Sequence, residues 1–161
     1  MTASDELRRD ALAYLRAHNT VSLATNGTDG PWASSVFYVN LGVNLYFLSE
    51  PTTRHSRNVE SNPLIAATIN EDYKDWREIK GIQMTATCAE VWAKVETARA
   101  LAAYVRKYPF VASFLRPGQL LQGMQIAGRP FNVRLYKVRP TQMLFLNNAR
   151  GFSNRGEIPV Q

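Results

Sequence analysis

The sequence predicts a mainly β, α+β fold: an antiparallel barrel, closed or nearly closed, with a few peripheral helices. Three observations carry this. About seven short stretches are rich in β-branched and aromatic residues. Dense turn signals join the first of them, Asn26-Gly27-Thr28-Asp29-Gly30-Pro31 and Gly42-Val43-Asn44, and imply hairpins rather than crossovers. Only three or four stretches have helical spacing. A flat sheet of that many strands would leave two open edges, and closure removes them.

Each element has its own signal. Residues 4–18 read as a helix, with Leu7, Ala11, Leu12 and Leu15 on one face, Ser4 as cap, and Asp5 and Glu6 in the positive first turn. His18 ends that helix, where a cation is welcome, which accounts for it better than metal binding. Strands follow at 20–25, 32–40 and 45–49. A short helix over 52–61 stops at Asn62-Pro63, because a residue before proline avoids the α region. Residues 64–70, LIAATIN, are nearly all apolar and predict a strand buried on both faces. After a polar loop over 71–78, residues 80–93 read as one long strand with Ile82, Met84, Ala86 and Cys88 inward. Cys88 is then a small core residue rather than a nucleophile. Residues 96–108 are helical, Pro109 interrupts, and Phe110 to Leu115 form a second short apolar helix. Gly and Pro make 116–130 a loop or cover. Strands at 131–138 and 142–146, bent at Arg139-Pro140, complete the barrel. Residues 5–148 form the core of one domain spanning 1–161, and 149–161 read as a tail whose order depends on docking.

Composition narrows the function classes. Hydrophobic residues make up 45% and charged residues 20% of the 161, ordinary for a globular chain. No apolar run approaches the roughly 20 residues that span a bilayer. The amphipathic, acid-containing N-terminus is no secretory signal, so the expected location is cytoplasmic. A single cysteine excludes an intrachain disulfide and a cysteine-based metal cluster. Charge is uneven: residues 1–98 carry 9 basic and 12 acidic side chains, and 99–161 carry 10 and 1. The cations are scattered and aromatics are not interleaved with them, so a solvated basic face is favoured over a nucleic-acid surface.

One stretch carries chemistry. Residues 45–62, LYFLSEPTTRHSRNVESN, run from an apolar strand into hydroxyls and cations where a helix begins. Unpaired N–H groups and the helix dipole favour an anion there, and Arg offers a planar fork for phosphate oxygens. An ordinary capped helix beside solvent explains the same composition.

The order of elements, with Thr53-Arg54-His55, Lys80-Gly81-Ile82-Gln83, Tyr108-Pro109-Phe110-Val111-Ala112 and Gly151-Phe152, resembles the pyridoxamine 5'-phosphate oxidase-like family, in its small bacterial branch. The likeness covers about residues 5–148. It implies an FMN-binding split β-barrel and a homodimer with flavin at the subunit interface. It implies that the strand Ala33-Ser34-Ser35-Val36-Phe37-Tyr38 lies along the isoalloxazine, with Ser34, Ser35, Val36 and Phe37 reading its edge. Leu48 and Ser49 would meet the ring or ribityl chain, Thr53, Arg54 and His55 the phosphate, and Gln83 a further flavin position. Trp76, Trp92, Phe110 or Phe114 are candidates to cover the ring. The sequence departs from the family twice. Ala33 stands where the oxidase opens this strand with arginine, and His55 stands where its clamp has lysine. Either Arg54 and Arg57 compensate, or FMN binds weakly, or the pocket holds another ligand.

The implied function is that of an FMN-dependent oxidoreductase, or flavin reductase-like protein, acting on a small molecule. The flavin does the chemistry, so no catalytic side chain and no metal ligand is assigned. Two alternatives stay open. One keeps the barrel and binds haem, through His18 or His55, or the deazaflavin F420. The other, ranked last, is a non-enzymatic module whose basic C-terminal part meets nucleic acid or an acidic protein; for the leading reading neither nucleic acid nor membrane is an expected partner.

Overall fold

The structure, a computed structural model, describes residues 2–113, 124–126 and 129–160. Its frame is one antiparallel sheet of eight strands. They are β1 (Thr20–Gly27), β2 (Gly30–Phe37), β3 (Val39–Leu41), β4 (Asn44–Ser49), β5 (Leu64–Asn70), β6 (Lys80–Glu90), β9 (Arg134–Asn147) and β10 (Arg155–Glu157). The order across the sheet is β2-β1-β5-β6-β9-β4-β3, with β10 also on β9. A separate hairpin pairs β7 (Met124–Ile126) with β8 (Arg129–Phe131). The sheet curls until β2 approaches β4, giving an open half-barrel. Among the described residues, three α-helices flank it: α1 (Ala3–Ala17), α2 (Arg54–Ser61) and α3 (Lys94–Lys107).

Strand periodicity fills the interior. Alternate residues of β1, β4, β5, β6 and β9 point inward, so Val21, Leu23, Leu45, Phe47, Ile69, Ile82 and Met143 are sealed from solvent. Phe47 stacks on Tyr136 with ring centroids 5.2 Å apart. Tyr38 breaks the chain between β2 and β3. Its ring is fully buried, and its hydroxyl donates to the Leu15 carbonyl at 2.7 Å, tying the barrel to α1. Gly42 turns β3 into β4 at φ +61°, a conformation glycine adopts without strain.

Several expectations are corrected. Thr2, not Ser4, caps α1: its hydroxyl accepts from the Asp5 N–H, and the Asp5 side chain bonds back to the Thr2 backbone. The strand foreseen at 32–40 is divided into β2 and β3 by Tyr38. β5 is not buried on both faces: Ile65, Ala67 and Ile69 are inside, while Leu64 and Ala66 are exposed. Small apolar residues on its outer face hide the alternation from a reading of composition. The two final strands are one, because a bulge opposite Thr85 and Ala86 absorbs Pro140 without ending the pairing. Part of the 116–130 segment is paired as β7 and β8; the rest, with Phe114 and Leu115, lies outside the described residues. The tail docks on its own chain. β10 pairs with Leu144–Leu146, and Ile158 is 1% exposed. A side chain at Gly156 would strike Leu7 of α1. Burying a residue such as Ile158 contributes about 1.5–3 kcal/mol, enough to hold a short segment.

Candidate functional site

The strand β2 carries two exposed aromatics, Trp32 and Phe37, and the unpartnered Ser34 Oγ. As an edge strand it pairs only with β1, so one row of its backbone N–H and C=O groups has no strand partner. A cleft of about 330 Å³ lies between β2, Leu48 of β4 and the end of α3. Ser35, Val36, Phe37 and Leu48 line it from the sheet. Tyr104, Tyr108, Phe110 and Val111 line it from the helix and the turn that follows.

The helix wall is fixed by hydrogen bonds. The Tyr104 hydroxyl donates to the Phe37 carbonyl, and the Tyr108 hydroxyl to the carbonyls of Tyr38 (2.7 Å) and Asn19 (3.0 Å). Burial pushes both phenols above their ordinary range, Tyr108 to about 12. With their hydroxyls occupied by backbone, these residues offer the cleft their rings. Phe37 meets Tyr108 edge-on at 5.4 Å and is 54% exposed. Such a surface suits a planar apolar ligand.

The predicted clamp is built as follows. Thr53 is the N-cap residue of α2, but its hydroxyl donates to the Glu50 carbonyl (2.9 Å) and to Ser56 Oγ (2.8 Å) rather than capping an N–H. His55 points inward. Its Nε2 lies 2.7 Å from Ser49 Oγ and 3.1 Å from Thr53 Oγ1, and its ring meets Phe47 edge-on. Burial lowers its pKa, so the neutral ring is favoured. Arg54 packs on the Trp32 ring at 4.5 Å, and its Nη2 donates to the Asp29 carbonyl at 2.8 Å. Its Nε is buried and unpartnered, as is Ser34 Oγ; these are the two such side-chain atoms among the described residues. Arg57 is exposed and donates to the Thr52 carbonyl.

Thus Ser34, Ser35, Val36 and Phe37 share β2, Leu48 and Ser49 share the end of β4, and Ser49, Thr53 and His55 share one hydrogen-bonded cluster. Gln83 stands apart. It is on the outer face of β6, where its Oε1 accepts from Arg155 Nε at 3.3 Å. Sequence reasoning missed Trp32, Tyr104 and Tyr108. The quoted Tyr108-Pro109-Phe110 motif was a signal for the last; nothing local marked the others.

Both histidines are engaged within the chain. His18 Nδ1 lies 2.7 Å from the Tyr14 carbonyl, and its Nε2 2.5 Å from Glu71 Oε1. Among the described residues no three His, Cys, Asp or Glu side chains converge as a metal-binding group, and no helix is long and apolar enough to cross a membrane. Several C-terminal cations are paired: Arg134 with Glu90, Lys137 with Glu96, and Arg150 with Asp10.

Known proteins place this architecture. A UPF0306 protein of Haemophilus ducreyi is 32% identical over 102 residues, 60% of this chain and 68% of the relative. A heme binding protein from Mycobacterium smegmatis superposes with TM-score 0.71 at 19% identity, covering 99% of this chain; the chain spans 59% of that one. An FAD-binding protein from Mesorhizobium loti superposes with TM-score 0.59 at 14% identity, over 84% of this chain and 88% of its own. These two likenesses establish the split-barrel fold and leave the ligand to chemistry. The model of the family described as pyridoxamine 5'-phosphate oxidase matches residues 7–147, and the chain belongs to that family.

Proposed function

We propose that this chain is an FMN-binding flavoprotein, a cytoplasmic homodimer that serves as an oxidoreductase or flavin reductase on a small molecule. The observation that carries the reading is the pair of buried, unpartnered polar atoms, Ser34 Oγ on β2 and Arg54 Nε at the start of α2. Buried polar groups without partners are rare in folded chains, and a ligand that bonds to them resolves both. A planar ring system with an anionic tail has the matching chemistry.

The residues fit the group. The free edge of β2 supplies backbone donors and acceptors to the pyrimidine rim, and Phe37 and Leu48 give apolar cover. Arg54 holds the phosphate, its guanidinium plane set by Trp32. Thr53 adds a hydroxyl. His55 positions Thr53 and Ser49 from within, in place of the family's lysine charge. Bound FMN supplies hydride or electron transfer; the chain binds, orients and shields. The homodimer with a shared site follows from the family resemblance, and Gln83, outside the barrel, would then meet the flavin of a second copy of the chain.

Haem suits these residues less well, since each histidine ring already has two partners. Absorption spectroscopy of protein purified without added cofactor, followed by FMN titration and light scattering, tests the reading. Flavin bands or saturable FMN uptake by a dimer is expected. A colourless protein that takes up no FMN, or one with a Soret band, overturns it; a deazaflavin spectrum reassigns the ring.

A further inference from the structure

A second cleft, of about 340 Å³, lies behind α2, and none of the residues given to FMN in the proposed function lines it. Its size is within the range of small-ligand pockets. The floor is apolar, from Val59, Pro63, Cys88 and Tyr136. Tyr136 is held from behind by its stack on Phe47. Trp92 stands at the cleft, 78% exposed, and no other described aromatic ring contacts it. An indole left in water costs free energy that packing elsewhere in the chain avoids, and such exposure marks binding surfaces.

The charges at the cleft decide what it binds. Glu60 and Glu90 line it, against a single cation, Arg134. Arg134 Nη1 donates to Glu90 Oε2 at 2.9 Å, which fixes that carboxylate, only 19% exposed, in place. Glu60 is exposed and, among the described residues, has no ion pair. Two carboxylates and one guanidinium leave a surplus of negative charge over an apolar floor. Trp92 adds the most favourable ring for an organic cation, through its negative face. An anion would meet both carboxylates, and a bare metal ion would find an apolar floor and one ring of no use to it.

We propose that the cleft behind α2 binds a small organic cation, an ammonium group on an apolar body, between the Glu60 and Glu90 carboxylates and the Trp92 ring.

Titration with benzyltrimethylammonium, followed by tryptophan fluorescence and calorimetry at low salt, tests it. Benzyl alcohol and benzoate serve as neutral and anionic counterparts. The cation is expected to bind saturably and more tightly than the alcohol, with benzoate weakest and added salt lowering the affinity. Trp92→Leu should weaken cation binding by roughly three- to thirtyfold. Glu60→Gln should also weaken it, and Glu60 is exposed, so this variant will fold even where the other does not. Glu60→Gln should take up FMN as the wild type does. Benzoate binding as tightly as the cation overturns the proposal, as does the absence of saturable binding, or unchanged affinity in Glu60→Gln. Loss of the dimer in Trp92→Leu also overturns it, because the surface is then an interface between copies.

Discussion

Tyr38, Phe47 and Tyr136 inside the barrel, and Trp32, Phe37 and Phe110 at its β2 edge, are the same kinds of residue in opposite situations. Inside, every ring is covered and the Tyr38 hydroxyl has a backbone acceptor. At the edge, Trp32, Phe37 and Phe110 are 41%, 54% and 57% exposed, and Ser34 Oγ and Arg54 Nε lack partners. Folding alone accounts for the interior. It leaves the edge incomplete in both ways that matter, apolar area in water and polar atoms out of it. What the fold leaves unresolved at one place is the physical signature of a ligand or partner.

The largest effect should separate the two regions by stability. Ile82 is sealed at the centre of β6, and Ile82→Ala deletes buried methylenes and leaves a cavity; a loss of about 2–5 kcal/mol is expected in denaturant unfolding. Phe37→Ala, at the edge, should change stability by under about 1 kcal/mol and weaken FMN uptake instead. Equal losses for both variants would abolish the contrast.

Next comes Arg54→Ala. Removing a charge-assisted phosphate contact should weaken FMN binding by about 1.5–3 kcal/mol, read by fluorescence titration, with little change in stability. An unaltered dissociation constant would take Arg54 out of the site and leave its stack on Trp32 as its whole role.

The barrel was readable because its signals are local. Turn residues, the Asn62-Pro63 stop and the inward alternation of Ile82, Met84, Ala86 and Cys88 each act within a few positions. The readings that failed depend on neighbours far along the chain. Pro140 could pass through a continuous β9 only because a bulge beside it, opposite Thr85 and Ala86 of β6, lets the pairing continue. The docking expected of the tail holds, but its partners, β9 and Leu7 of α1, are likewise not local to it. In the proposed site, β2 comes from the resemblance and the α2 start from its own hydroxyls and cations. The wall from Tyr104 and Tyr108 was not, since it exists only once their hydroxyls reach the carbonyls of Phe37 and Tyr38.

A smaller effect is expected from Ser34→Ala. The unpartnered hydroxyl costs desolvation without return, so its loss should leave the ligand-free protein as stable or more so, by up to about 1 kcal/mol. FMN affinity should fall by a similar amount if Ser34 bonds the flavin. Lower stability with unchanged FMN binding would place Ser34 with the interior rather than the edge.

The smallest effect concerns His55, which belongs to both regions: its ring is buried with Phe47 while its backbone starts the clamp helix. Burial lowers its pKa below the ordinary value of 6.5. Around and below pH 6.5 the unfolded chain therefore takes up a proton that the folded chain resists, so the unfolded state binds more protons. The stability this group contributes is full above pH 6.5 and is lost as pH falls through the folded value. Denaturant unfolding from pH 8 to 5 should show that decline, and His55→Gln should flatten part of it. FMN binding adds a sharper test. If His55 acts from within, through Thr53 and Ser49, it stays neutral when the phosphate arrives, and its ring resonances should not titrate upward in the complex. A His55 that charges on binding FMN would be a direct phosphate ligand, restoring by protonation the cation that the family's lysine supplies.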